Sequence, residues 1–234
     1  MQGNPRTVIV TGAAGNLGRA VAQAFAQQGD RLVLVDLHVE SLQKSFGAEN
    51  DQQAFAAANL LQEADAAAVI DLAMKKFGRV DVVCNLAGGF RMGESVHETT
   101  SETWNFLFDL NVRTLLHMAQ AAVPRMLANG GGKIVNVGAF SAQKGAAKMG
   151  SYIASKASVI RLTEAMAAEL RDQNINVNCV LPTIIDTPQN RADMPKADPA
   201  KWVAPSDLAN VIAFLASDAA RAIHGAALPV TGLS

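Results

Sequence analysis

Short β-branched runs alternate along this chain with longer stretches of helical periodicity. The apolar runs predict strands at residues 7–10, 31–35, 53–57, 80–84, 133–137, 175–180 and 227–230. Periodicity near 3.6 predicts helices at residues 17–28, 41–46, 62–77, 101–128, 152–171 and 206–216. Strands alternating with helices in this way predict an α/β architecture built on a parallel sheet. The helix over 101–128 carries Trp104, Phe106, Leu107, Phe108, Leu110, Leu115, Leu116, Met118, Val123 and Met126, which wrap most of its circumference. A helix that is apolar all round is covered on both sides. Either it lies deep in the core, or a second subunit covers its outer face.

With 234 residues, half of them hydrophobic, the chain suits one domain spanning 1–234, with no repeat or linker to divide it. A net charge of −1, without any block of like charge, argues against nucleic acid or an anionic membrane as partner. No apolar run approaches the ~18 residues of a membrane-spanning helix. The opening Met1-Gln2-Gly3-Asn4-Pro5-Arg6 runs straight into a strand without a signal-peptide core, so a cytoplasmic location is expected. Cys84 and Cys179 each sit inside an apolar run and read as reduced, buried small hydrophobes. His38, His97, His117 and His224 show no ligand spacing, and no metal site is expected.

Candidate chemistry lies at two places. Near the start, a strand leads into Thr11-Gly12-Ala13-Ala14-Gly15-Asn16-Leu17-Gly18 and then a helix, a phosphate-binding turn whose free N–H groups face a pyrophosphate. Gly12 makes the tight turn and Gly18 permits close packing of helix on strand, while Asn16 tolerates the backbone that glycine otherwise supplies. Asp36 ends the second strand, where a carboxylate accepts bonds from ribose hydroxyls and repels a 2′-phosphate. The neighbouring Leu37 offers no basic compensation, so NAD(H) is expected over NADP(H). Far along the chain, Tyr152 and Lys156 stand four apart on one helix face. An ammonium there is expected to draw the phenol pKa from about 10 toward neutrality and fit it for proton transfer.

Together the glycine turn and Tyr152-Ile-Ala-Ser-Lys156 resemble the short-chain dehydrogenase/reductase family, nearly end to end. The resemblance implies a single-domain doubly wound (Rossmann) sheet of about seven strands in the order 3-2-1-4-5-6-7. It implies an NAD(H)-dependent oxidoreductase, homodimeric or homotetrameric through the 101–128 and 152–171 helices. By the same resemblance Tyr152 exchanges the proton with substrate, and Lys156 binds the nicotinamide ribose. Asn111 matches a residue that holds a water behind the lysine, although a purely local backbone bond is the alternative. Asn59 and Leu60 fall where the family touches adenine. Asn85-Leu86-Ala87-Gly88 matches its Asn-Asn-Ala-Gly, implying cofactor contacts for Asn85, Ala87 and Gly88. Pro182-Thr183-Ile184-Ile185-Asp186-Thr187 resembles its Pro-Gly-x-x-x-Thr, giving Pro182, Ile185 and Thr187 the nicotinamide end.

One member of the constellation is missing. The family's serine, thirteen residues before the tyrosine, is Ala139 here. Ser141 is a spare candidate, but in an extended strand it lies roughly 6–7 Å further on, too far unless the chain turns at once. The segment 186–202 and the turn Ala87-Gly88-Gly89-Phe90 resemble those of quinonoid dihydropteridine reductases, which also lack the serine. That likeness implies a flat, conjugated substrate lying against Phe90. A generic carbonyl or 3-oxoacyl reductase is the alternative within enzymes, and a non-catalytic NAD(H) sensor is the alternative outside them.

Overall fold

A computed structural model describes residues 5–234; Met1–Asn4, on which most of the N-terminal reading rests, lie outside the described residues. The chain runs β1 (Thr7–Thr11), α1 (Asn16–Gln27), β2 (Arg31–Asp36), α2 (Val39–Phe46), β3 (Gln53–Ala57), α3 (Glu63–Phe77) and β4 (Val82–Asn85). It continues with α4 (Ser101–Phe108), α5 (Thr114–Ala128), β5 (Gly132–Val137), α6 (Gly150–Leu170) and β6 (Ile175–Pro182). Last come α7 (Pro188–Asp193), α8 (Pro205–Leu215) and β7 (Ala227–Val230). All seven strands join one parallel sheet in the order β3-β2-β1-β4-β5-β6-β7.

Strand alternation sorts the core into two layers. On β1, Val8 and Val10 pack with Val21 and Phe25 of α1 and Leu208 and Ile212 of α8. Ile9, between them, faces the other way, toward Val69 and Ile70 of α3 and Met118 and Met126 of α5. With both faces covered, the central strands are continuous apolar runs rather than alternating ones. Every residue of β6 is buried.

The helix predicted over 101–128 is not one helix. A π-helical segment, Asp109–Arg113, separates α4 from α5. The extra residue per turn rotates the following register, and such segments recur at functional sites. Its centre is Asn111, only 2% exposed. The fourth strand begins later than predicted, at Val82, and ends later because Asn85 still pairs with Asn136. The short α7 was not predicted; Thr187 caps it, accepting from the Asn190 amide at 3.1 Å, with Pro188 in the first turn.

Strand order reverses between β1 and β4, which opens a crevice at the carboxyl ends of the strands. No helix is long and apolar enough to cross a membrane among the described residues.

Candidate active site

The crevice is a cleft of about 1020 Å³. Its floor is the glycine turn. Gly12 sits at φ +63°, a conformation other residues rarely adopt, with room for a Cβ only 3.2 Å from the Ala87 nitrogen. A Cβ on Gly18 would lie 2.6 Å from the Ala13 Cα, so backbone would have to move. Thr11, which the sequence reading quoted without a role, ties the two central strands together. Its hydroxyl oxygen accepts from the Leu86 amide at 2.9 Å and the Ala87 amide at 3.0 Å.

Of the residues expected to hold the cofactor, Gly12, Asn16, Leu17, Gly18, Asp36, Asn59, Leu60, Ala87, Gly88, Ile185 and Thr187 all line this cleft. The Asp36 carboxylate is fixed by the Ala14 amide at 2.9 Å and the Leu37 amide at 2.9 Å. Each oxygen keeps a lone pair for a further donor. Asn85, Tyr152, Lys156 and Pro182 do not line it. Asn85 is turned into the sheet, donating to Asn136 Oδ1 at 2.8 Å, and Asn136 donates to Thr163 at 2.9 Å. Pro182 is buried at the end of β6. Leu37 beside Asp36 is not basic; two cationic side chains not expected at the site, Arg19 and Lys44, also line the cleft.

At the other end of the cleft stands α6. Lys156 is 6% exposed, and its Nζ donates to the Val137 carbonyl at 2.8 Å. Burial lowers its pKa to about 8. A Cβ on Gly88 would lie 2.9 Å from Asn111 Oδ1 and 3.2 Å from Lys156 Nζ, so the glycine lets cleft, lysine and asparagine meet. Asn111 makes three side-chain hydrogen bonds. Its Oδ1 accepts from the Gly89 amide at 2.9 Å, and its Nδ2 donates to the Gly89 carbonyl at 3.1 Å and to Ser155 Oγ at 3.0 Å. It thereby clamps the turn that carries Phe90. Ser155, like Thr11, was missed; its place beside Lys156 gave no sign that it would face the π-helical segment.

The Tyr152 ring meets Phe90 edge to face, centroids 4.8 Å apart at 83°. Its pKa moves opposite to the expected direction, up to about 12, because burial penalises the phenolate. The lysine does not offset this: its own charge is disfavoured by burial, and its Nζ is directed at Val137.

Ala139 is buried in a small apolar cluster with Ala142, Ile160, Cys179 and Leu181, against which Tyr152 packs. The chain turns at once after it, into a 3₁₀ segment Phe140–Gln143 that carries Ser141. The condition for Ser141 to approach is therefore met in the backbone. Segment 186–202 folds as α7 plus a short 3₁₀ turn at Pro199–Lys201, braced by an Arg191–Asp186 ion pair at 2.6 Å. Both cysteines are free and fully buried. The buried His117 shares a hydrogen bond with the Leu60 carbonyl at 2.9 Å. No cluster of metal-ligating side chains occurs among the described residues.

Residues 12–232 match the enoyl-(acyl carrier protein) reductase family. Cyclohexanol dehydrogenase of an Acinetobacter species is 32% identical, the alignment covering 98% of this chain and 94% of that protein. Carveol dehydrogenase of Mycobacterium avium, solved in complex with NAD, superposes with a TM-score of 0.88 at 28% identity, over 97% and 96% of the two chains. A 3-ketoacyl-(acyl-carrier-protein) reductase of Brucella melitensis, complexed with NADH, gives a TM-score of 0.87 at 29% identity, over 99% and 98%. This chain belongs to the short-chain dehydrogenase/reductase family of oxidoreductases. The comparisons lend no support to a specific relationship with the dihydropteridine reductases.

Proposed function

We propose that this protein is an NAD(H)-dependent oxidoreductase that interconverts a small alcohol and its carbonyl compound, with Tyr152 as the proton-transfer group. One observation carries the reading most directly: Gly88, on the wall of the cleft, is also the residue against which Lys156 Nζ and Asn111 Oδ1 close. The residues of the cleft fit a dinucleotide, with a glycine turn for the pyrophosphate and a fixed carboxylate at Asp36 for the ribose. The nicotinamide, when bound, supplies or accepts the hydride. Tyr152 gives the proton to the nascent alkoxide, Lys156 holds ribose hydroxyls, and Ile185 and Thr187 hold the nicotinamide end. Asn111 holds the Gly89 turn and the water behind the lysine. Relatives named for cyclohexanol, carveol and 3-ketoacyl substrates support alcohol–carbonyl chemistry.

A finer reading is favoured by Ala139 and Phe90. Without a hydroxyl at 139, a substrate oxygen lacks the donor that carbonyl reduction leans on, worth about 10²–10³ in rate. A flat conjugated acceptor, a quinone or a quinonoid dihydropterin protonated on nitrogen, depends less on that donor and can lie against the exposed Phe90 ring. NADH oxidation should be compared on quinonoid dihydropterin, simple quinones, cyclic ketones and 3-oxoacyl thioesters, with Ala139→Ser alongside. The expected result is turnover of the conjugated acceptors by the unsubstituted protein and a tenfold or greater gain on ketones in the variant, approximating part of that factor. Ketones turned over as fast as quinones, with no gain from the added serine, would remove the missing-donor argument and leave Ser141 as the donor.

The same reading includes a homodimer or homotetramer. Trp104, Leu116 and Leu127 on α4 and α5 are each more than a third exposed, and Trp104 stacks on Phe108 at 4.4 Å, an apolar surface fit for a second copy. Light scattering at micromolar concentration should give at least twice the 24.6 kDa chain mass. A monomer there refutes this part.

A further inference from the structure

We infer that Lys148 is a positioning residue: it latches the segment that follows Phe90 onto the start of α6 and so sets how the Phe90 ring stands against Tyr152. The inference rests on the alcohol–carbonyl reading above and adds to it the residue that holds the substrate wall. Lys148 has φ +64°, and with Asn174 it is one of two non-glycine residues at positive φ among the described residues. Asparagine tolerates that backbone, whereas lysine rarely adopts it. Glycine would fit there without steric cost, so what lysine adds is its side chain. A residue held in such a conformation points to surroundings that impose it.

Those surroundings are specific. The Lys148 carbonyl accepts from the Gly93 amide at 2.8 Å. Its Nζ donates to Ser95 Oγ at 2.7 Å and stands 3.8 Å from Glu98 Oε2. The same carboxylate oxygen accepts from the Ser95 amide at 3.3 Å, closing a capping box on the 3₁₀ turn Val96–Glu98. The ion pair is half exposed and adds little, so the bond to Ser95 is the grip that matters. Two residues on, a Cβ on Gly150 would lie 2.8 Å from Val96 Cγ2, so α6 begins in contact with that turn. Ser151 Oγ donates to Thr99 Oγ1 at 3.4 Å.

Phe90 is suspended between two anchors. Upstream, Asn111 holds both the amide and the carbonyl of Gly89. Downstream, the backbone is next held where Gly93 meets Lys148. Arg91, between them, lies over the Phe106 ring at 4.0 Å and 3.5 Å from the exposed Glu102. Lys148 stands four residues before Tyr152, so it joins the two stretches of chain that carry the edge-to-face pair. Loosening it frees the Phe90 wall while leaving the cofactor cleft alone, because none of residues 90–99 or 148–151 lines that cleft.

The test uses Lys148→Met, which removes the ammonium and keeps the strained backbone, Lys148→Gly, which also releases the strain, and Lys148→Arg, which keeps a cation. Hydrogen exchange followed by mass spectrometry reports residues 91–99, thermal melts check folding, and NADH oxidation is read on cyclohexanone and on 1,4-naphthoquinone. In Lys148→Met and Lys148→Gly, exchange over 93–99 should quicken by about fivefold, the order of one hydrogen bond. The KM for the acceptor should rise by about the same factor, with the KM for NADH within about twofold of the unsubstituted protein. Lys148→Arg should stay close to the unsubstituted protein in both readouts. A merely structural lysine would instead lower the melting temperature and the apparent kcat with both KM values unmoved, and that result overturns the inference. So does exchange over 93–99 that is unchanged in Lys148→Met, or an acceptor KM that rises in Lys148→Met but not in Lys148→Gly. Absence of turnover on both acceptors by the unsubstituted protein overturns the alcohol–carbonyl reading itself and the inference with it.

Discussion

Tyr152→Phe is expected to retain NADH binding and lose turnover by about 10²–10⁴-fold, the range a positioned general acid contributes. The substitution removes one oxygen and little else. The ring that packs edge-on against Phe90 and against the Ala139 cluster is kept, so the fold and the Gly89 turn stay in place. Tyr152 is not among the residues that line the cleft. A KM for NADH changed by less than about twofold, with kcat lost, is the signature of a group acting only in the transition state. The experiment also separates the enzyme from a non-catalytic NAD(H) sensor, because a sensor would have no turnover to lose in the unsubstituted protein. Activity unchanged by the substitution would exclude Tyr152 as the proton-transfer group.

Much of this arrangement was legible in the chain because the sheet is buried on both faces. Runs such as Val8-Ile9-Val10 and Leu32-Val33-Leu34-Val35 have no competing helical reading at that length, and the glycine turn fixed where the first pair of strands opens. Side-chain direction was harder to read. Asn85 falls inside the matching motif, yet strand alternation turns it toward Asn136 and away from the cleft. The π-helical segment escaped notice because an all-round apolar helix offers no stripe whose phase shift would reveal an extra residue. Arg19 and Lys44 were overlooked for a related reason. Their distance from Asp36 along the chain, 17 and 8 residues, says nothing of the fold that brings α1 and α2 to one cleft.

The tyrosine–lysine pair shows the same limit in energetic form. Spacing of four places two side chains on one face but does not say where an ammonium points or how wet it is. Here it is buried and turned to Val137, and both groups are pushed toward their neutral forms. A site poised this way stores an unfavourable charge, which leads to a prediction about stability as well as rate.

Lys156→Met should lose activity by about 10²-fold or more while making the fold more stable at neutral pH. The activity loss follows from removing the cation that closes on the wall of the cleft at Gly88, and with it the proposed hold on the ribose hydroxyls. The stability gain follows from proton linkage. Below pH 8 the lysine is protonated in both folded and unfolded chains, and folding bears the full penalty of burying the ammonium. Between pH 8 and the ordinary value of 10.5, the folded chain has lost this proton while the unfolded chain still holds it, so stability of the unsubstituted protein rises with pH through that window. Above 10.5 the penalty is gone. Its size at pH 7 is of order 3 kcal/mol, from a shift of a few pKa units at 1.36 kcal/mol each. Methionine fills a similar volume without charge but leaves the Val137 carbonyl without its donor, a loss of about 1–2 kcal/mol. The balance is a gain on the order of 1–2 kcal/mol at pH 7 that shrinks and reverses by about pH 10.5. Urea denaturation of both proteins at pH 7 and pH 10 measures it, the difference between them cancelling every group that titrates alike in the two. A stability difference that does not change between those pH values would mean that Lys156 keeps its ordinary pKa in the folded chain, and that the closed contact with Val137 does not describe the protein in solution.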